Sequence, residues 1–306
     1  MRRLKHFFAK PYRWAIIYSF VLVSFFVFAL IDTFIIPKLM IVEESKENSL
    51  PETALQDSSE AIITDLSYKD KNIEITIQTI REYETTIYIA DIQLFDASYL
   101  KTAFAENAFG RNIKEKTSGI AKKNNVIFAV NGDYYGFRDK GYVLRNGVLY
   151  RSVSRDNENV DDLVINNSGN LYIIQENEVS IESLNIDNIS QIFSFGPALV
   201  ENGQIIVSSA SEVDQSKNSN PRTAIGQISP LHYIIIVSDG RTDESEGLSL
   251  LQLAQVFLDQ GCSVAYNLDG GGSSTMYFNG TIINNPTDGR NDGEREISDI
   301  IYIGYE

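Results

Sequence analysis

The sequence predicts an α+β protein: one β-rich domain with a mixed sheet and a few packed helices, preceded by a single N-terminal transmembrane helix. Three observations lead there. Short alternating or apolar runs recur along 62–306 with turn residues between them. One well-capped helix lies between two buried-looking strands, and a long uncharged run near the N-terminus stands apart from both.

Residues 1–13 carry Arg2, Arg3, Lys5, Lys10 and Arg13 and no acid, which leaves 21 bases against 41 acids in the remainder. The run 14–31 has 18 uncharged residues, and Asp32 is followed by four more before Pro37. At about 1.5 Å per residue, 14–36 spans roughly the hydrocarbon core of a bilayer. A cleaved signal peptide, with Val27-Phe28-Ala29 as a poor cleavage site, is the rival. The run exceeds the usual apolar region of about 7–15 residues, which favours an uncleaved anchor. Flanking cations place 1–13 in the cytoplasm and the acidic bulk outside it. Residues 37–61, rich in Glu, Ser, Asn and Asp, read as a solvated stalk.

Strands are expected over 73–77, 86–92, 126–130, 141–145, 148–150, 162–165, 171–174, 192–195, 198–200 and 205–207. Asn146-Gly147 and Asn202-Gly203 supply hairpin turns that tolerate positive φ. Helices are expected over 99–109, 113–123 and, most clearly, 250–260. There Ser249 and Gln252 have capping-box spacing and Gly261 can end the helix in the left-handed conformation. The strands 232–238 and 262–268 flank that helix, giving a strand–helix–strand unit within one domain, 62–306.

Composition excludes several functions. A formal charge of -15 argues against coating nucleic acid, which needs a basic face. Cys262 stands alone, so neither an intrachain disulfide nor a Cys-rich zinc site can form. His232 is the sole histidine of the domain and starts an apolar strand, which favours a structural role; acid–base work then falls to carboxylates. Low His and Cys with high Ile, Lys and Asn look bacterial.

Chemistry should lie where strands end. Asn131-Gly132-Asp133-Tyr134-Tyr135, Ser238-Asp239-Gly240-Arg241 and Asn267-Leu268-Asp269-Gly270-Gly271-Gly272-Ser273-Ser274-Thr275 each join an acid or amide to glycine after an apolar strand. Taken singly, an Asp-Gly pair is ordinary turn chemistry. Three glycines in a row permit close backbone approach, and with the following hydroxyls they suggest an anion nest. The segment is neither a phosphate-binding Walker loop nor a serine-hydrolase elbow. Arg145, Arg222 and Arg241 flank strand ends and suit bidentate contact with phosphate or a sugar carboxylate, surface ion pairs being the plainer explanation for any one. Asp288-Gly289-Arg290-Asn291-Asp292-Gly293 resembles a calcium-loop opening superficially, since Arg290 takes the third position and Asp299 the twelfth; a divalent cation such as calcium is the one cofactor left open there.

Taken together and in order, NGDYY at 131–135, FGPALVENG at 195–203, NPRTAIG at 220–226, SDGR at 238–241 and NLDGGGSSTM at 267–276 resemble the phosphodiester glycosidase family. This is the domain of N-acetylglucosamine-1-phosphodiester alpha-N-acetylglucosaminidase, and bacterial members are often labelled exopolysaccharide biosynthesis proteins. The fit runs from about residue 70 to the C-terminus. Arg295-Glu296-Ile297-Ser298 departs from the Arg-Pro-Val-like sequence expected there, and the resemblance assigns Arg295 no role.

The resemblance implies release of an N-acetylglucosamine-like sugar from a sugar-1-phosphodiester on a surface glycan or glycopolymer. It implicates Asp269 and Asp133 as the reacting carboxylates, with Asp239 next. Arg222 and the bend of Gly270, Gly271, Gly272, Ser273 and Ser274 would hold phosphate, while Asn131, Arg145 and Arg241 orient sugar or support the site. Two other readings stand beside it: a non-catalytic glycan-binding scaffold and a glycopolymer phosphotransferase.

Overall fold

The computed structural model describes residues 11–40, 61–155, 160–208, 219–289 and 291–305. The basic tail 1–10 and most of the stalk, 41–60, lie outside the described residues. Pro11–Phe34 is one helix of 24 residues whose apolar side chains are exposed, Phe20 at 73% and Phe25 at 71% among them. It is long and apolar enough to cross a membrane, with a mean hydropathy of 2.5.

Three larger sheets dominate the rest of the described structure, beside three two-stranded ladders and the helices Thr117–Lys123 and Leu250–Asp259. The largest has nine strands, and its centre runs Val264–Asn267, Arg222–Ser229, His232–Ser238, Thr85–Leu94 and Ile73–Glu82. A five-stranded sheet orders Thr281–Ile282, Met276–Phe278, Phe128–Asn131, Asp299–Ile303 and Leu100–Phe104. The third orders Val148–Arg151, Val143–Arg145, Ile189–Phe193, Asp161–Asn166 and Leu171–Gln175.

The principal core lies where the three sheets face one another and includes Ile92, Ile235, Val237, Val130, Ile301, Leu163 and Phe193. The large sheet is buried on its other face too: Ile87, Ile89, Ile234 and Ile236 alternate away from that core and meet Leu253, Val256 and Phe257 of the helix Leu250–Asp259. Burial on both faces explains why His-Tyr-Ile-Ile-Ile-Val-Ser reads as a continuous apolar run instead of an alternating one. Ser249 caps this helix reciprocally with Gln252, and Gly261 follows it at φ +80°. The helix packs close to the sheet at Gly226, where an added Cβ would come within 2.7 Å of Phe257.

The α+β class, the hairpins at Asn146-Gly147 and Asn202-Gly203, and the helix 250–260 are present as expected. Two details differ. Every ladder among the described residues is antiparallel, because Arg222–Ser229 inserts between the two strands that flank the helix and pairs with both. The helix expected over 99–109 is instead the strand Leu100–Phe104 between two short 3-10 turns, paired with Asp299–Ile303. Leu100 and Thr102 alternate into the interior, and Glu106 and Asn107 take φ of 51° and 53°, so tertiary pairing overrides an alanine-rich helical window. Of the helix expected over 113–123, Thr117–Lys123 forms; Glu115–Lys116 pairs with Glu296–Ile297.

Phe257→Ala should empty the space between helix and sheet and cost about 3–5 kcal/mol, whereas Leu251→Ala on the exposed side should cost under about 0.5 kcal/mol. Denaturant midpoints at constant slope measure both; equal losses would contradict the packing.

Candidate active site

Backbone and amide hydrogen bonds stitch together segments far apart in sequence. Asn131 ends the strand Phe128–Asn131, and its Nδ2 donates to the Asp269 carbonyl at 2.6 Å. Its Oδ1 accepts from Thr223 Oγ1 at 2.8 Å and from the Thr275 N–H at 3.3 Å. The Gly132 N–H donates to the Asp299 carbonyl at 2.8 Å, and the Asp269 N–H to the Gly132 carbonyl at 3.3 Å. Asn131 therefore ties the chain at Asp269 to Thr223 and Thr275 without itself reaching solvent.

These strand ends open onto a cleft of about 580 Å³, walled by Asp133, Asp269, Ser273, Arg295, Tyr134 and Ser298 among others. That volume suits a sugar-phosphate-sized ligand. The three glycines each face a different neighbour. An added Cβ at Gly270 would stand 2.9 Å from the Pro221 carbonyl, beside Arg222; at Gly271, 2.9 Å from Arg241 Nη2; at Gly272, 2.6 Å from Asp288 and 2.8 Å from Arg295. The bend is glycine-only because guanidinium groups and backbone from elsewhere occupy the space where side chains would go. Its own N–H groups are partly spent: Gly270 donates to Asp269 Oδ1 and Gly271 to the Pro221 carbonyl. The hydroxyls of Ser274, Thr275 and Ser298 are buried without a hydrogen-bond partner within the protein, and that of Ser298 belongs to the cleft wall.

Behind the cleft, Arg145 is 1% exposed and bridges two buried acids, 2.9 Å from Asp133 and 2.8 Å from Asp299. It also donates to the Leu144 and Ile192 carbonyls and stacks 4.1 Å from the Phe193 ring centre. Burial works to raise the Asp133 carboxyl, but Arg145 and the N–H groups of Ser194 and Tyr135 outweigh it and hold the group below the ordinary range. Asp299 goes the other way, up to about 7, because burial and the neighbouring Asp133 charge together exceed what Arg145 returns. Asp269 at the cleft is also raised, chiefly by burial, with Ser273, the Gly270 N–H and the Arg295 and Arg138 charges opposing.

The other expected residues are nearby but differently engaged. Asp239 is buried, accepting from Asn285 N and Nδ2 at 2.8 and 2.9 Å and from Tyr88 at 3.2 Å. Arg222 is buried with Nε donating to the Leu248 carbonyl. Arg241 is exposed, over the glycine bend, bonded to Asn220 Oδ1. His232 pairs with Asp91 at 2.8 Å, at the opposite end of its strand, about 20 Å from Ser238 at 3.4 Å per residue.

Sequence reasoning passed over Asp299 as a partner of Arg145 and left Arg295 without a role. Arg295 follows a run of turn residues, and its one signal was its place in the altered Arg-Pro-Val-like stretch. Here its Nε and Nη2 both bond Asp288 Oδ1, at 2.9 and 2.7 Å, on the cleft wall. Asp288 and Asp299, the first and twelfth positions of the calcium-like loop, thus face guanidinium groups. No cluster of three metal-ligating acids, His or Cys occurs among the described residues.

Between about pH 4, the ordinary aspartate value, and about pH 7, the folded chain keeps a proton on Asp299 that the unfolded chain has lost. Its contribution to stability therefore falls as pH rises through that window. Denaturation midpoints of the wild type should decline across it relative to those of Asp299→Asn; parallel curves would take this carboxyl out of the proton balance.

The sequence profile of phosphodiester glycosidases matches residues 124–304. The SPbeta prophage-derived uncharacterized protein YomE of Bacillus subtilis is 31% identical over 202 residues, covering 64% of this chain and 31% of YomE. Human N-acetylglucosamine-1-phosphodiester alpha-N-acetylglucosaminidase is 32% identical over 121 residues, covering 34% of this chain and 23% of the human protein. The chain thus spans under a third of the length of these curated relatives. Among solved structures, the zebrafish N-acetylglucosamine-1-phosphodiester alpha-N-acetylglucosaminidase catalytic domain shares the fold, with a TM-score of 0.61 at 22% identity, covering 76% of this chain and 83% of that domain. With the profile matched across more than half of its residues, the chain belongs to the phosphodiester glycosidase family.

Proposed function

We propose that the chain is a membrane-anchored extracytoplasmic hydrolase that cleaves an N-acetylglucosamine-like sugar from a sugar-1-phosphodiester. The observation that carries this is that Asp269 and Asp133 wall one cleft, Asp269 raised and Asp133 lowered, since such a reaction needs one carboxyl to move a proton and another that stays ionised. The family and the activity named for its human and zebrafish members support the same reaction.

In this reading water adds to the anomeric carbon and passes its proton to Asp269, whose raised affinity makes it a better base than an ordinary carboxylate. The bond from that carbon to the phosphate oxygen breaks, and its electron pair leaves with the phosphomonoester. Asp133, held ionised, stabilises the oxocarbenium-like charge that develops. Arg295 receives the leaving phosphate from the cleft wall. A phosphate needs little protonation to depart, which is why a site lacking histidine suffices. Arg222 and Arg241, with Gly270 and Gly271, set the bend that aims Asp269; Asn131, Arg145 and Asp239 support it from behind. The exposed apolar helix Pro11–Phe34 is the anchor.

Asp269→Asn should lower kcat on a nitrophenyl phosphodiester of N-acetylglucosamine by about 10²–10⁴ while far-UV circular dichroism stays unchanged. Full turnover in that variant would remove Asp269 from the reaction. Because the base must be ionised, kcat/KM in the wild type should fall on the acid side at a pH above the ordinary aspartate value; an acid limb at or below that value would contradict the role.

A further inference from the structure

The chain between the N-terminal helix and the domain does not simply leave the helix. Lys38–Leu39 forms a two-residue antiparallel ladder with Gly110–Arg111, and the Met40 N–H donates to the Phe109 carbonyl at 3.2 Å. Asn112 Nδ2 donates to the Thr33 and Ile36 carbonyls, at 3.0 and 3.1 Å, capping the end of the helix from the domain side. Met40 packs against the cluster of Phe109, Tyr135 and Val143.

The same Gly110 backbone continues to the cleft. A Cβ on Gly136 would lie 3.3 Å from the Gly110 carbonyl, so the turn Tyr135–Phe137 rests directly on the strand that holds the helix end. Asp133 and Tyr134 immediately precede that turn, and Phe137 closes it; all three wall the cleft. One strand spacing of about 4.8 Å separates Lys38–Leu39 from Gly110–Arg111, and the turn at the cleft wall packs directly on the latter. A cleft joined so closely to the end of an anchor sits at the level of lipid headgroups, with little freedom to reach far into solution.

The rim is built for that place. Tyr134 and Phe137 are each 36% exposed and stack on one another at 4.6 Å between ring centres. Lys114 and Lys116 line the same cleft, as do Asp288, Glu294 and Glu296, with Lys114 paired to Glu296 at 3.2 Å, and Arg138 lies over the Tyr134 ring at 5.6 Å. Exposed aromatic rings joined to long cationic side chains are the combination that settles at a membrane–water boundary.

We infer that the substrate of this cleft is a sugar-1-phosphodiester whose phosphate is esterified to a membrane-embedded lipid, so that cleavage frees the sugar and leaves a lipid phosphate in the bilayer. This rests on the hydrolase and anchor readings above, and adds that the helix, the Lys38–Leu39 ladder and the cleft act as one unit.

The test uses the full chain reconstituted in phosphatidylcholine and phosphatidylglycerol vesicles. N-acetylglucosamine is supplied as its 1-phosphodiester either with a long-chain isoprenoid alcohol in the same vesicles or with water-soluble nitrophenol. The wild type should turn over the lipid ester with kcat/KM at least tenfold above the soluble one. Inserting a flexible twelve-residue Gly/Ser segment between Ile36 and Pro37 should abolish that preference and leave the soluble arm unchanged, and Asn112→Gly, which keeps the positive φ of 55° available, should weaken it in the same direction. Equal turnover of the two esters by the wild type, or a lipid preference that survives the insertion, overturns the inference while leaving the hydrolase reading intact. Failure to cleave either ester overturns both.

Discussion

The arrangement depends on Arg145, a guanidinium sealed from solvent between two buried acids that lie far apart in sequence at neighbouring strands. Asp133 follows the strand Phe128–Asn131, Asp299 opens the last strand, and Arg145 ends Val143–Arg145 in another sheet. Burying the Arg145–Asp133 ion pair is expensive unless both groups are paired and hydrogen-bonded, and removing either partner would leave the other uncompensated, with Asp299 as a further hydrogen-bond partner of Arg145. The constraint therefore works as a registration device: the two five-stranded sheets meet in the position that brings these three groups together. Asp133 stays charged at the cleft as a by-product of that registration.

A second buried charged cluster does the same at the sheet that holds Asp161–Asn166 and Leu171–Gln175. Arg155 reaches Asp162 and Glu176, each at 2.6 Å, and also binds the Asp161 and Phe195 carbonyls. Tyr266, from the nine-stranded sheet, shares its one hydroxyl proton between the Asp161 and Phe193 carbonyls, at 2.8 and 3.1 Å, and accepts from the Phe195 N–H. Burial together with Glu176 raises Asp162 well above the ordinary carboxylate range. Polar links of this kind demand specific partners, whereas apolar faces tolerate sliding, so the sheets gain orientation here that the shared core would not impose by itself.

Much of this was legible locally. Hairpin turns, the capped helix and the runs that become central strands carry their signals within a few residues, and the structure places them close to the expected bounds. Asp269, Asp133 and Ser273 were readable too, because acids and hydroxyls next to glycine after an apolar strand stand at a strand end by geometry. What escaped depends on chain closure. Leu100–Phe104 becomes a strand because Asp299–Ile303 returns to it from the far end of the sequence, and no window of neighbouring residues contains that partner. Asp299 was visible only as the misplaced twelfth position of a calcium-like loop, and its tie to Arg145 exists only once both sheets are formed. Arg295 lay in a stretch that differs from its family's pattern, so its approach to Gly272 could be seen only in three dimensions.

The glycine bend joins these levels. Its glycines are spaced one residue apart, yet the groups that require them come from 221–222, 241 and 288–295, so a single run of backbone serves as the surface on which three remote segments meet. Arg222 and Arg241 are held there by carbonyl or amide oxygens of their own neighbourhood, while Arg295 binds a carboxylate on the open side of the same bend. The first two shape the turn and the third remains on the cleft wall. In the proposed reaction this geometry divides the labour among like-charged groups: the guanidinium on the open side would attract the phosphate, and the two tied into the framework would keep the bend rigid enough for Asp269 to meet the reacting carbon at a fixed angle.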